Sequence, residues 1–362
     1  MLTRIYIDNY GPLVNFELEP GREQLFIGKN GSGKSSVFDA VDAVTRFAAG
    51  QGTVDGCFPS SRLTRWDTRP LQTFELDLLG PSNETYRYRL VIEHDEFGHD
   101  VVREERVTLG VSPLFASNDG DGELFGDDGS LLAKVLIDPS RSSIGALAER
   151  PDNKKLSWLR HLLEHLRVAS LDPKCMANTS LREESMPTKN LSNLASWYRH
   201  LVQESPEHVD AMRDLLSEVF DGFHSLKLVT EGRSRRLVTR WKSSSGTVDF
   251  DLDELSDGQR VLIGLAALAA AEPSPAGTTL LLDEPDNFIA LDEVQPLLMS
   301  LRDRTNLQFL VISHHPEVIN LQAREHGLVF ERHNLGPTQV RAFKAPDDST
   351  LTPAELVARG EA

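Results

Sequence analysis

Gly28-Lys29-Asn30-Gly31-Ser32-Gly33-Lys34-Ser35 decides how the rest of this chain is read, because its glycines, lysine and serine stand at the spacing of a phosphate-cradling P-loop. Gly31 and Gly33 let successive backbone N–H groups curl around an anion. Lys34 supplies a mobile cation for β- and γ-phosphates and Ser35 a hydroxyl for Mg²⁺. The helix expected to start here turns its positive end to the same point. The flanks agree: Gln24-Leu25-Phe26-Ile27 reads as a short buried strand, and Val37, Phe38, Val41 and Val44 recur at helical spacing. A Gly/Ser/Lys-rich turn can carry these letters by chance, but the strand before and the helix after argue against it. Binding of a nucleoside triphosphate is therefore expected, lined by Gly28 to Ser35 and Ser36.

The 362 residues can hold one large domain or two, and the 40% hydrophobic content suits a globular core; with the motifs set out below, a single α/β domain over 1–362 is expected. Its expected parts are a P-loop and β-rich part at 1–116, a helical lobe at 150–225, and a last part at 226–345. No apolar run approaches the ~18 residues of a membrane span, and no basic and apolar leader opens the chain, so a cytoplasmic protein without a membrane partner is expected. Cys57 and Cys175 lie far apart without metal-ligand spacing and read as reduced thiols. A net charge of −17 opposes a surface that attracts nucleic acid as a whole. The best candidate for a local basic patch, Arg233, Arg235, Arg236, Arg240 and Lys242, falls on a predicted strand that hairpins through Ser243-Ser244-Ser245-Gly246 to Val248-Asp249-Phe250-Asp251-Leu252. It reads first as a solvated outer face.

Alternation at Ile5, Ile7, Phe16 and Leu18 predicts a small antiparallel region ahead of the P-loop. Beyond the first helix, residues 73–78, 86–92 and 101–109 have strand character, the first two joined by the turn Gly80-Pro81-Ser82-Asn83. The acidic, glycine-rich stretch from Asn118 to Gly129 fails as a calcium loop, because Leu124 stands where Asp119, Asp121 and Glu123 would require glycine. It reads as a mobile surface loop. Leucines 156, 159, 162, 163 and 166 predict a helix near 154–168; Leu191, Leu194, Tyr198 and Leu201 predict another. Ser205-Pro206 starts a third with Val209, Met212, Leu216 and Val219 inward. There is no heptad run or fixed-period repeat.

Three further motifs follow. Leu255-Ser256-Asp257-Gly258-Gln259-Arg260 precedes a run apolar almost all round; alone it is a helix N-cap, with Gly258 permitting close approach. Thr279-Leu280-Leu281-Leu282-Asp283-Glu284-Pro285 is an apolar strand ending in two carboxylates, the form of a Walker B element, with Asp283 for Mg²⁺ and Glu284 for the attacking water. Phe309-Leu310-Val311-Ile312-Ser313 delivers His314 and His315 at the strand edge where α/β sheets bind ligands.

In this order the motifs resemble the ATP-binding-cassette class of ATPases, and within it the RecF, SMC and OLD-like branch. The opening Ile5-Tyr6-Ile7-Asp8-Asn9-Tyr10-Gly11-Pro12-Leu13 and Ser313-His314-His315-Pro316-Glu317 are similar to that branch too. The resemblance implies an ABC-ATPase-like P-loop core with an antiparallel β subdomain and an inserted helical lobe. It implies Mg²⁺-dependent hydrolysis of ATP in a head-to-tail dimer: Lys34 and Ser35 of one subunit, Ser256 and Gly258 of the other, Glu284 as general base, and His314 as switch histidine with His315 as fallback. Departures are Asp257 in place of the signature glycine of transporters, and a 286–292 segment longer than the usual loop, in which Asp292 is the interface candidate. Gln72 is the Q-loop candidate. OLD-type relatives carry a fused TOPRIM nuclease domain, but fewer than fifty residues follow His314 here, so a nuclease or toxin-like effector is expected on a separate chain, as in two-component antiphage systems. An ATP-gated scaffold and direct DNA binding in repair are the rival expectations.

Overall fold

In the computed structural model, placement is described for residues 1–95, 97–270, 277–290, 293, 298–299, 301–304, 306–346 and 349–361. The chain opens with β1 (Leu2–Asp8) and β2 (Phe16–Leu18), antiparallel with Ile7 opposite Phe16. Then come β3 (Glu23–Ile27) and α1 (Lys34–Ala48), the strand and helix that the P-loop pattern requires. Two one-turn helices, α2 (Val54–Cys57) and α3 (Ser143–Ala146), bracket six strands: β4 (Leu71–Leu79), β5 (Thr85–Glu93), β6 (Val101–Leu109), β7 (Ser112–Asn118), β8 (Asp121–Phe125) and β9 (Leu131–Leu136). With β1 and β2 they form one eight-stranded sheet of order β2-β1-β4-β5-β6-β7-β8-β9.

Two expectations are corrected in this stretch. The 118–129 segment is no loose loop: Asp119 (φ +49°) and Gly120 (φ +88°) make a two-residue turn, and Asn118 pairs with Asp121 across a hairpin. Asp-Gly suits the left-handed positions such a tight turn demands. The helix expected near 154–168 is α4 (Lys154–Glu164), and Leu166 belongs instead to β10 (Leu166–Ala169). Leu166 and Val168 keep the apolar rhythm of the helix but are buried as strand residues.

The chain continues through β11 (Thr179–Ser180), α5 (Leu194–Glu204), α6 (Pro206–Val219), β12 (Phe223–Glu231), β13 (Ser234–Ser243), β14 (Gly246–Asp251) and α7 (Asp257–Ala270). It ends with β15 (Thr278–Asp283), β16 (Leu307–Ile312), β17 (Gly327–Glu331) and β18 (Gln339–Ala342), and with helices at Pro316–His326 and Pro353–Arg359. On α6 the inward residues are His208, Met212, Leu215 and Leu216; Val209 and Val219 lie half-buried at the edge of that face.

Two compact units result. The first is Met1–Val168 with Ser274–Leu281 and Asn306–Ala362; the second is Ala169–Pro273 with Leu282–Thr305. The helical lobe read at 150–225 is thus divided, α4 falling in the first unit and α5 and α6 in the second.

The first unit holds the eight-stranded sheet and most of a six-stranded one, order β10-β15-β16-β3-β17-β18, in which β16 and β17 both run parallel to β3. Its core is continuous from Ile5, Ile7 and Phe74 through α1 to Leu281, Leu310 and Phe330. Rings carry it: Phe16, Phe330, Phe26 and Phe38 pack in sequence, as do Tyr10, Phe74, Phe58 and Phe47. The second unit packs α5, α6 and α7 with a small sheet in which β13 pairs β11, β12 and β14. Every residue of α7 from Val261 to Ala270 is buried, as its all-round apolar sequence requires. Among the described residues no helix is long and apolar enough to cross a membrane.

Candidate functional site

The P-loop of the first unit is tightly formed. Lys34 is buried, and its ammonium donates to the carbonyl oxygens of Gly28 (2.8 Å) and Lys29 (3.2 Å). Gly31 (φ +77°) and Gly33 (φ +104°) take the left-handed conformation that favours glycine. Gly33 also lacks room for a side chain, since a Cβ there would stand 2.2 Å from Thr338 Oγ1.

The unfilled groups are as informative as the filled ones. Among the described residues the N–H groups of Asn30, Gly31 and Gly33 donate to nothing. α1 has no side-chain cap and no acid in its first turn. Ser32 Oγ is buried without a partner. Open donors around an uncapped helix N-terminus, beside an ammonium, fit a phosphate chain. Ser35, the residue that would offer its hydroxyl to Mg²⁺, is exposed at the same helix start.

Sequence reasoning missed two residues that hold this loop. Thr338 donates from Oγ1 to the Ser32 carbonyl (2.8 Å) and from its N–H to the Pro12 carbonyl (2.9 Å). Arg332 donates from Nη1 to the Gly31 carbonyl (3.0 Å). In a trans peptide C=O and N–H point opposite ways. A donor that draws the Ser32 carbonyl outward therefore turns the Gly33 N–H inward.

Of the two strand-end histidines, His315 is committed locally: its Nδ1 accepts from the Glu317 N–H (3.3 Å) and caps the helix Pro316–His326. His314 is exposed at the end of β16 and remains the candidate. The reading of Gln72 as the Q-loop residue is overturned. Gln72 is fully buried, donates to the Asn9 carbonyl (2.9 Å) and meets His94 Nε2 through Oε1 (2.9 Å). His94 pairs in turn with Asp100 (2.8 Å), so Gln72 supports the turn at Asn9 and does not face a nucleotide.

The second unit contains the other motifs. Ser256 is the exposed N-cap of α7: its Oγ accepts from the Gln259 N–H (3.2 Å), and its own N–H donates to Gln259 Oε1 (3.0 Å). Gly258 touches the turn after β15, where a Cβ would lie 2.6 Å from the Phe288 carbonyl oxygen. Asp283 ends β15, and Glu284 after it has φ +49°, a strained setting for a residue with a side chain. Asn287 Nδ2 donates to the Glu284 carboxylate (2.7 Å), a support the sequence did not disclose. Asp292 lies outside the described residues. Two cations of the basic hairpin are compensated within it: Arg240 pairs with Asp249 (2.8 Å) and Arg236 with Asp251 (2.6 Å).

A P-loop between β3 and α1, an apolar strand running into paired carboxylates, and a capped signature helix on this sheet arrangement define an ABC-class P-loop ATPase fold of the RecF/SMC-like kind. The family described as "AAA domain, putative AbiEii toxin, Type IV TA system" matches residues 25–320, and the chain belongs to it. Among solved structures, an SMC head bound to the C-winged helix domain of ScpA aligns over 94% of this chain and 98% of its own at 13% identity, with a TM-score of 0.56. An SMC head domain from Thermotoga maritima aligns over 95% of this chain and 99% of its own at 15% identity, with a TM-score of 0.46. No curated protein matches the chain.

Proposed function

We propose that this protein is a Mg²⁺-dependent ATP hydrolase whose two copies close head to tail around ATP, and that the cycle controls a separate nuclease or toxin-like effector in a bacterial antiphage system. The observation that carries the nucleotide reading is the set of open donors at the N-terminus of α1, with the unpartnered Ser32 hydroxyl among them. Lys34 and the loop N–H groups hold the phosphates, and His314 faces the γ-phosphate. Ser35 and Asp283 would hold Mg²⁺, which when bound neutralises phosphate charge. Glu284, oriented by Asn287, takes the proton of the attacking water. The family's description as a putative toxin of a toxin–antitoxin system supports a function exercised with a second protein.

Lys34→Ala should abolish ATP binding measured by calorimetry, whereas Glu284→Gln should bind ATP, lose steady-state phosphate release and accumulate as a dimer in light scattering. Normal turnover by the Glu284→Gln protein would refute the base assignment. A wild-type protein that assembles with its effector equally well on ATP and on a non-hydrolysable analogue, with negligible turnover, would make it an ATP-gated scaffold instead.

A further inference from the structure

His94 and Asp100 are buried together just past β5 and just before β6, with side chains 3% and 6% exposed. His94 Nδ1 stands 2.8 Å from Asp100 Oδ2. Among the described residues Asp100 Oδ1 has no hydrogen-bond partner, so the ring is what compensates this carboxylate. The charged groups on the strands and turns around the pair are engaged elsewhere: Asp8 and Asp67 hold Arg69, Glu93 and Asp119 hold Arg103, and Asp95 meets His99.

Hydrogen-bond polarity says where the protons of the pair are. Gln72 donates from Nε2 to the Asn9 carbonyl, so Oε1 is the atom it turns to His94 Nε2. An amide oxygen only accepts, which puts a proton on Nε2. At 2.8 Å a bare Nδ1 and a carboxylate oxygen would repel, which puts a second proton between them. If that proton is lost, the carboxylate keeps the remaining N–H at Nδ1, and Nε2 becomes an acceptor. Gln72 must then turn its amide round, and its oxygen falls opposite the Asn9 carbonyl.

That carbonyl belongs to the floor of the P-loop. Asn9 (φ +61°) leads into a turn closed between Tyr10 and Leu13, and its side chain is tied to the backbone at Thr64, Arg69 and Leu71. Within the turn the Pro12 carbonyl accepts from the Thr338 N–H, and Pro12 Cγ lies 3.2 Å from where a Cβ of Gly33 would stand. Contacts therefore run without a break from the buried proton to the glycine whose N–H meets the anion.

We propose that His94 and Asp100 are positioning residues of the phosphate site, and that the proton they share holds Gln72 in the orientation that keeps the P-loop formed for its anion. The proposal rests on the reading of the P-loop as a triphosphate site. Proton uptake by the pair and anion binding support each other, so affinity falls as rising pH takes the proton away.

The test is calorimetric titration of the full chain with ATP and with inorganic tripolyphosphate at pH values from about 6 to about 9. Both ligands ionise as well, so each variant is compared with the wild type at the same pH. His94→Gln keeps an amide donor towards Gln72 and has no proton to lose. Asp100→Asn donates to Nδ1 and leaves the Nε2 proton in place. Relative to either variant, the wild type should lose about fivefold in affinity from the acid to the alkaline end, for both ligands alike. Parallel profiles overturn the proposal, whatever the substitutions do to the melting temperature. Ring-nitrogen NMR of the wild type decides if the variants do not fold: His94 should carry protons on both nitrogens at the acid end, and a ring bare at one nitrogen throughout overturns the proposal. Failure of the parent reading looks different, since the wild type would then bind neither ligand at any pH.

Discussion

Single residues carry the loop's geometry, and some of them lie far from it in the chain. Gly33 is required twice, by its left-handed backbone and by the Thr338 hydroxyl that occupies the space of a side chain. Thr338 contributes no charge and no metal ligand; its work is to hold the 32–33 peptide so that one N–H faces the anion. Thr338→Val keeps the shape of the side chain and removes the donor. A buried carbonyl left unsatisfied costs about 1–3 kcal/mol. The loop is then free to tilt, so affinity for ATP and for tripolyphosphate should fall together by about tenfold in the same titrations. A loss confined to thermal stability, with binding intact, would make Thr338 a packing residue. Such a residue was illegible in the sequence because the pair is 306 positions apart, whereas Lys34 was legible because the carbonyls of Gly28 and Lys29 that it meets are its neighbours in the chain.

At the scale of elements, local chemistry was read correctly where it was sufficient and misread where another element decided. β3, α1, the hairpin of β13 and β14, and the Pro206 helix start were all plain in the sequence. β10 was not, since Leu166 and Val168 fit a helix until β15 is there to pair with them. Nor did the alternation of β1 disclose that β4 would flank it and bring Glu75 beside Arg4 (2.7 Å), with Arg89 on the carboxylate's other side. Burial pushes the Glu75 carboxyl upward, but the hydrogen bonds and charges of the two arginines outweigh it and hold the group below its ordinary 4.5. A depressed acid stabilises the fold above its unfolded value, and that contribution disappears as pH falls through 4.5 and then through the folded value. Glu75→Gln should therefore destabilise by about 1 kcal/mol at neutral pH in urea titrations, the deficit shrinking towards pH 3. A deficit that persists undiminished in acid would place its origin in packing and not in charge.

Across the whole molecule the motifs are divided: Lys34 and His314 belong to the first unit, Ser256 and Glu284 to the second. Ser256 is exposed, and α7 behind it is buried all round, so the signature is a rigid helix end presented to solvent. If two copies meet head to tail, each ATP is held by Lys34 of one copy and Ser256 of the other. This arrangement is tested without knowing the effector. Lys34→Ala alone and Ser256→Arg alone should each lack ATPase activity, because every dimer then has two damaged sites. In an equimolar mixture that exchanges subunits, half of the dimers are mixed. Each mixed dimer concentrates both lesions in one site and leaves the other intact. Activity should then return to about a quarter of the wild-type level, provided the sites act independently. The recovery should depend on protein concentration, and a double variant carrying both substitutions on one chain should remain inactive when mixed with itself. No recovery in a mixture shown by mass to contain heterodimers would rule out a shared head-to-tail site that works independently of its twin.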